Sequence, residues 1–323
     1  MNEALVSESI LRLYEKLYRD LGESIVTALI DDDINEVLLN PDGGLWIDSC
    51  RHGMRQIARL TMSQGLSIIN GVAGIHRFVV HAKTPTLEAE LPYFKAMRGE
   101  RFIAQVPPVV SAPTFTIRKK SKTVFTLKDY LSSGRMTIAQ ADVLAQLIKE
   151  RKNILVCGGP GSGKTTVTNA LIIEAVKLDT NQRFVVLEDL PELQCSALNK
   201  VSMLTSQEVD MTDLLRAAMR MRPDRILIGE VRGREALDML KAWNTGCPGG
   251  ICTVHANGAE EALQRILDLA MEAGLVNPPI SLVQHTIDAI VSVTRNRHQK
   301  GFISDILTVG DYQNEMFHFQ KLA

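Results

Sequence analysis

Aromatic residues are scarce, two Trp, five Tyr and nine Phe in 323 residues, too few for a surface on which successive nucleic-acid bases stack. An excess of one charge is also missing. Lys and Arg number 36 against 37 Asp and Glu, a net charge of −1, so no overall basic field draws in a nucleic acid. The five cysteines, Cys50, Cys157, Cys195, Cys247 and Cys252, are odd in number and include no CxxC pair. That disfavours a disulfide framework and a zinc ribbon and fits a reducing cytoplasm. No stretch reaches the roughly 18 apolar residues of a spanning helix. The opening MNEALVSESI carries neither the basic nor the apolar region of a secretory leader. Any membrane contact is expected to be peripheral.

What is present is a chain able to bury a sizeable core: 45% hydrophobic and 23% charged, with mean hydropathy +0.02. Its length is about twice the ~150 residues that one core comfortably serves, so two domains are expected. Ile10, Leu13, Tyr14, Leu17 and Leu21 recur at helical spacing and predict an amphipathic helix over 4–22. Residues 1–40 carry three basic and nine acidic side chains, which points to packing on the fold or on a partner rather than docking on anionic lipid. NEVLLN and GGLWID flank Pro41, Asp42 and Gly43 as a β-hairpin. A helix near 61–70 and strands at LEAEL, RFIAQV and TFTIRK complete a small α+β domain over 1–120. From Lys95 to Lys122 seven basic residues face one acidic residue. Ser132, Ser133 and Gly134 close a linker over 121–134.

From Thr137, which stands three residues before Gln140 as a capping box, the pattern changes. Short apolar strands (NILVC, RFVVLE, RILIGE, GICTVHA) alternate with helical stretches near 164–178, 211–221, 234–246 and 258–274. This is α/β patterning with a mostly parallel sheet, and the 135–323 segment is read as one domain closed by the tail strands IDAIVSVTR, GFISDILTV and EMFHFQKL.

Gly158, Gly159, Pro160, Gly161, Ser162, Gly163, Lys164 and Thr165 match G-x-x-x-x-G-K-[ST], after a strand and opening a helix. The glycines let backbone N–H groups and a helix N-terminus face phosphates. Lys164 would reach the outer phosphates, and the Thr165 hydroxyl, followed by Thr166, would sit at Mg²⁺. Glu230 ends the strand of RPDRILIGE, where an acidic residue meets the metal or the attacking water. LEDLPEL ends a second strand in acid, with Glu188, Asp189 and Glu192 each available as base or as support for the metal. His255 ends a third strand in TVHANG. All three strands would finish on one side of a single sheet, where α/β folds bind ligands. A guanine reader needs N-K-x-D, and Asn199-Lys200-Val201-Ser202 lacks the Asp, so ATP is the expected nucleotide.

The order GGPGSGKT, VLEDLPEL, RPDRILIGEVRG, GGICTVHANG resembles the secretion ATPases, the hexameric traffic motors of type II and type IV secretion and of pili. The last box reads His-Ala-Asn rather than the His-Thr-Asn of pilus retraction and type II enzymes. Gly233 follows Arg232 where those usually carry Asp, and the type II tetracysteine insertion is absent. The likeness is to the type IV branch, the TrbB-type conjugal transfer ATPases. It implies a RecA-like P-loop domain behind a small α+β domain, in a homo-hexameric ring. That ring would hydrolyse MgATP at the cytoplasmic face of the inner membrane and act on the membrane components of a secretion channel, without sequence-specific nucleic-acid binding.

The resemblance also implies roles. Lys164 and Thr165 hold phosphate and Mg²⁺, Glu188 and Glu230 share water activation and metal coordination, and His255 senses the γ-phosphate. Arg101 and Arg118 reach the nucleotide from the N-terminal domain, and Arg220, Arg222 and Arg232 are candidates for neutralising developing charge. The alternatives are a type IV pilus or type II secretion ATPase, a nucleic-acid translocase, and a nucleotide-dependent assembly switch with negligible turnover.

Overall fold

The computed structural model describes residues 8–49, 51–119, 124–206, 208–295, 300–313 and 316–323. The start of the expected first helix, Cys50, Lys120 and Lys122 lie outside them. The chain divides into two units, Met1–Lys122 and Thr123–Ala323.

The first unit runs α1 (Glu8–Ile30), β1 (Ile34–Leu39), β2 (Gly44–Ser49), β3 (Gly53–Arg59), α2 (Met62–Ile75), β4 (Thr86–Glu90), β5 (Tyr93–Phe94), β6 (Met97–Arg98), β7 (Arg101–Gln105), β8 (Thr114–Arg118). Among the described residues β3-β2-β1-β8-β7-β4 form one antiparallel sheet. Strands β4, β7 and β8 bury alternate residues, as a sheet covered on one face must. Val37, Leu39, Phe102, Ala104, Phe115 and Ile117 pack with Leu17, Leu21 and Ile25 of α1 and with Ile68, Ile69 and Val72 of α2. The α1 helix extends beyond its expected end but is interrupted at Gly22, whose φ of 71° and ψ of 172° are not helical. Gly43 makes the expected hairpin: its φ is 83°, and a Cβ there would meet the Leu60 carbonyl at 2.6 Å. Lys119 donates to the carbonyls of Ala28 and Asp31 and so caps the end of α1.

The second unit runs α3 (Leu127–Ser132), α4 (Ile138–Lys149), β9 (Ile154–Gly158), α5 (Lys164–Leu178), β10 (Phe184–Glu188), β11 (Lys200–Leu204), α6 (Met211–Ala218), β12 (Arg225–Ile228), α7 (Glu235–Asn244), β13 (Ile251–His255), α8 (Ala259–Met271), α9 (Ile280–Thr286), β14 (Ala289–Arg295), β15 (Lys300–Gln313), β16 (Met316–Lys321). The sheet order is β11-β10-β12-β13-β9-β14-β15-β16. It is parallel through β14 and antiparallel at the last two strands. Helices cover both faces, so β9 and β10 are buried at every position. Leu155 and Cys157 face the core shared with α6–α9, while Ile154 and Val156 face the core shared with α3–α5.

The segment expected as linker contains α3, capped by Thr126, and its Leu127 and Tyr130 are buried in the second unit's core. The Ser-Ser-Gly composition marks only the turn after that helix.

Arg225, 1% exposed, anchors the amino end of β12. It donates to Gln182, to the Gly249 carbonyl at 3.1 Å and to the last turn of α4 at Ile148 at 2.9 Å. Loss of water on burial lowers its pKa to about 10. Gly249, at φ 84°, leaves it room: a Cβ there would lie 2.3 Å from the guanidinium.

Candidate active site at the carboxyl ends of the parallel strands

Strand order creates the site. After β9 the chain crosses to β10 on one side, and after β13 it returns to β14 on the other, so a crevice opens at the carboxyl end of β9. The loop from Gly158 to Gly163 fills it. Gly161 and Gly163 have φ of 66° and 100°, and a Cβ on Gly158 would lie 2.3 Å from the Val293 carbonyl. Ser162 N–H bonds Gly159, while Gly301 N–H holds the Ser162 carbonyl at 2.7 Å. The Ser162 hydroxyl is buried without a hydrogen-bond partner. Lys164, 7% exposed, begins α5, and Thr165 and Thr166 continue it, half-buried.

One strand, β13, stands between β9 and β12, with His255 paired to Gly158 in register. Thr253 Oγ1 donates to the Gly229 carbonyl at 2.7 Å and fixes the end of β12 against β13. The result is a connected row of charge. Lys164 Nζ donates to Gly158 and Gly159 carbonyls and to His255 Nδ1 at 3.1 Å. An ammonium only donates, so Nδ1 is the accepting nitrogen and the ring proton sits on Nε2. That nitrogen lies 2.8 Å from Glu230 Oε1. Burial lowers the His255 pKa, with Lys164 and Arg232 adding to the effect and Glu230 opposing it, so the neutral ring is favoured. Glu230 Oε2 takes two bonds from Arg232, at 2.8 Å from Nε and 2.7 Å from Nη2, while Oε1 is buried against the His255 ring. Arg232 also lies 3.7 Å from Asp189.

The acidic box divides its carboxylates. Glu188, 3% exposed, accepts the backbone N–H groups of Glu192 and Leu193 at 2.8 and 2.7 Å. Glu192 instead receives the Thr165 hydroxyl at 3.3 Å. Asn169 and Arg295 had no signal in the motifs. Asn169 bonds Glu192 and Gln194 backbone groups, and Arg295 ends β14 with Nη1 3.7 Å from where a Gly161 Cβ would stand.

Arg220 and Arg222 are exposed and precede β12, at the end of that strand opposite Glu230. Within one chain they are therefore not brought to the site. Arg101 and Arg118 are register partners on β7 and β8, 3.5 Å from Glu88 and 3.7 Å from Glu36 within the first unit.

The sequence pattern of the type II/IV secretion system proteins matches residues 20–315. The chain belongs to that family. Among its relatives in this family, the conjugal transfer protein TrbB of Rhizobium radiobacter is 41% identical over 312 residues, 97% of this chain and 95% of that one. The type IV secretion system protein PtlH of Bordetella pertussis is 34% identical over 303 residues, 83% of this chain and 87% of that one. Among solved structures, the ATPase DotB of Legionella pneumophila superposes with a TM-score of 0.63 at 16% identity, covering 95% of this chain and 80% of that one. That is a likeness of fold.

Proposed function

We propose that this member of the secretion family is an ATPase that powers type IV secretion of the conjugal transfer kind. It works as a homo-hexameric ring at the cytoplasmic face of the inner membrane, with components of the channel there. The observation that carries the reading is Glu230. It is a carboxylate just past the end of β12, one strand away from the phosphate loop, gripped by Arg232 on one oxygen and paired with His255 on the other, in a row that leads to Lys164.

The residues fit a nucleotide and its metal. Gly158 leaves room that a Cβ would fill, Ser162 Oγ and Glu230 Oε1 are buried polar atoms with bonding capacity to spare, and hydroxyl plus carboxylate is the oxygen donor set that Mg²⁺ takes. Thr165 and Glu230 would hold the ion, with Glu188 behind them, and the ion would neutralise charge on the phosphates.

The loop amides and the start of α5 bind the phosphates. Lys164 turns from the loop carbonyls to the outer phosphates, and His255, bonded to the same ammonium, registers whether that turn has occurred. Glu230 accepts the proton of the attacking water at Oε1 while Arg232 keeps the carboxylate oriented. Arg101 and Arg118, paired across β7 and β8, are supplied to the phosphates when the first unit closes over the nucleotide, and Arg220 and Arg222 act across a ring interface. Closing and opening is the mechanical stroke.

The test is the ATPase rate of purified protein against its concentration, with and without DNA. A rate that rises cooperatively with concentration and ignores DNA supports the secretion ring. A concentration-independent rate that requires DNA points to a nucleic-acid translocase.

A further inference from the structure

Residues 189–199 join β10 to β11 without helix or strand, so side chains must hold this segment in place. Two do so. Glu188 takes the N–H groups of Glu192 and Leu193 from the strand side. From the helix side, Asn169, 6% exposed, donates through Nδ2 to the Glu192 carbonyl at 3.2 Å and accepts at Oδ1 from Gln194 N–H at 2.8 Å. A carboxamide carries a donor and an acceptor side by side, so it pairs with the segment's backbone as a neighbouring strand would. Thr165 and Asn169 are four residues apart on α5 and share one face of it. The clamp and the hydroxyl are thus set at a fixed spacing, and Glu192, held by the clamp, receives the Thr165 hydroxyl at 3.3 Å.

We infer that Glu192 is the positioning residue for the Thr165 hydroxyl, and that Asn169 holds Glu192 to that task. A hydroxyl has one proton and two lone pairs. With the proton committed to Glu192, both lone pairs are left for a hard cation. Glu188 and Glu192 then divide the acidic box: the first fixes backbone, the second orients a metal-binding oxygen. This assignment rests on the ATPase reading.

The experiment is binding of a fluorescent ATP analogue to full-length protein, in EDTA and across a Mg²⁺ titration. Glu192→Gln should bind the analogue in EDTA like the wild type yet need about 10-fold more Mg²⁺ for the half-maximal response, the usual scale for loss of a partner behind a metal ligand. Asn169→Ala should move the half-point in the same direction by less. The deciding variant combines Glu192→Gln with Thr165→Ala: because Glu192 acts through that hydroxyl, the double change should need no more Mg²⁺ than Thr165→Ala alone. An unshifted half-point in Glu192→Gln, a further shift in the double variant, or lost binding in EDTA overturns the inference. Wild-type protein that binds no analogue under either condition overturns the ATPase reading, and this inference with it.

Discussion

The strands β10 and β12 are neighbours in one sheet, run parallel, and lead to Glu188 and Glu230. Their ends are nonetheless built for different work. Glu188 is 3% exposed and spends Oε1 on two backbone N–H groups of the segment that follows. Glu230 is held by side chains, a guanidinium on Oε2 and the His255 ring nitrogen 2.8 Å from Oε1. Side-chain partners can be exchanged for a ligand more readily than backbone ones, so a carboxylate held by side chains in a crevice lined by a phosphate loop is placed for chemistry. Position at a strand end confers access, and the partners decide the use.

The largest expected effect lies outside the pair and tests what both depend on. Lys164→Ala should lose nucleotide affinity and at least about 100-fold in turnover together, because the only ammonium in the row is gone. Calorimetry with ATP and a phosphate-release assay check this. Arg232→Ala removes the grip on Glu230 while leaving Glu188 untouched, and turnover should fall about 10-fold with ATP affinity nearly intact. If turnover were unchanged, the contrast between the two ends would lose its basis. Glu188→Gln should act mainly on the fold, lowering stability by about 1–2 kcal/mol, since charge-assisted bonds to two N–H groups are replaced by neutral ones. Chemical denaturation reads that directly.

The smallest effect is one of pH. The His255 pKa is lowered in the folded chain, chiefly by burial, so the unfolded chain takes up this proton first as pH falls. The contribution of a neutral His255 is therefore fully present above the unfolded value of roughly 6.5 and is lost as pH falls from there through the lower folded value. Melting temperatures in nucleotide-free buffer should decline below that pH in the wild type and decline less in His255→Gln.

The phosphate loop and the three strand-end residues were legible in the sequence because that chemistry demands residue types at fixed spacing, and all four segments converge at the carboxyl ends of neighbouring parallel strands. The division of labour in the acidic box was not. Glu188, Asp189 and Glu192 look alike as letters, and only the path of residues 189–194 over α5 separates them. Asn169 carries no motif signal, since an amide on a helix ordinarily means a solvated surface. The α3 helix was hidden by its own cap and turn: Thr126, Ser132, Ser133 and Gly134 read as linker, while Leu127 and Tyr130 supply the burial. Gly22 interrupts α1 although the apolar spacing continues across it. Arg220 and Arg222 are candidates through the family resemblance, and within one chain the direction of β12 sets them at its far end from Glu230.

The most direct test of the central claim is a single-turnover experiment on Glu230→Gln and Glu188→Gln side by side, each loaded with radiolabelled ATP and Mg²⁺ and sampled for bound ATP and ADP. Glu230→Gln should hold ATP and split it about 10²–10⁴-fold more slowly than the wild type, whereas Glu188→Gln should still convert what it binds. Rapid hydrolysis by Glu230→Gln, with intact ATP trapped on Glu188→Gln instead, would contradict the account.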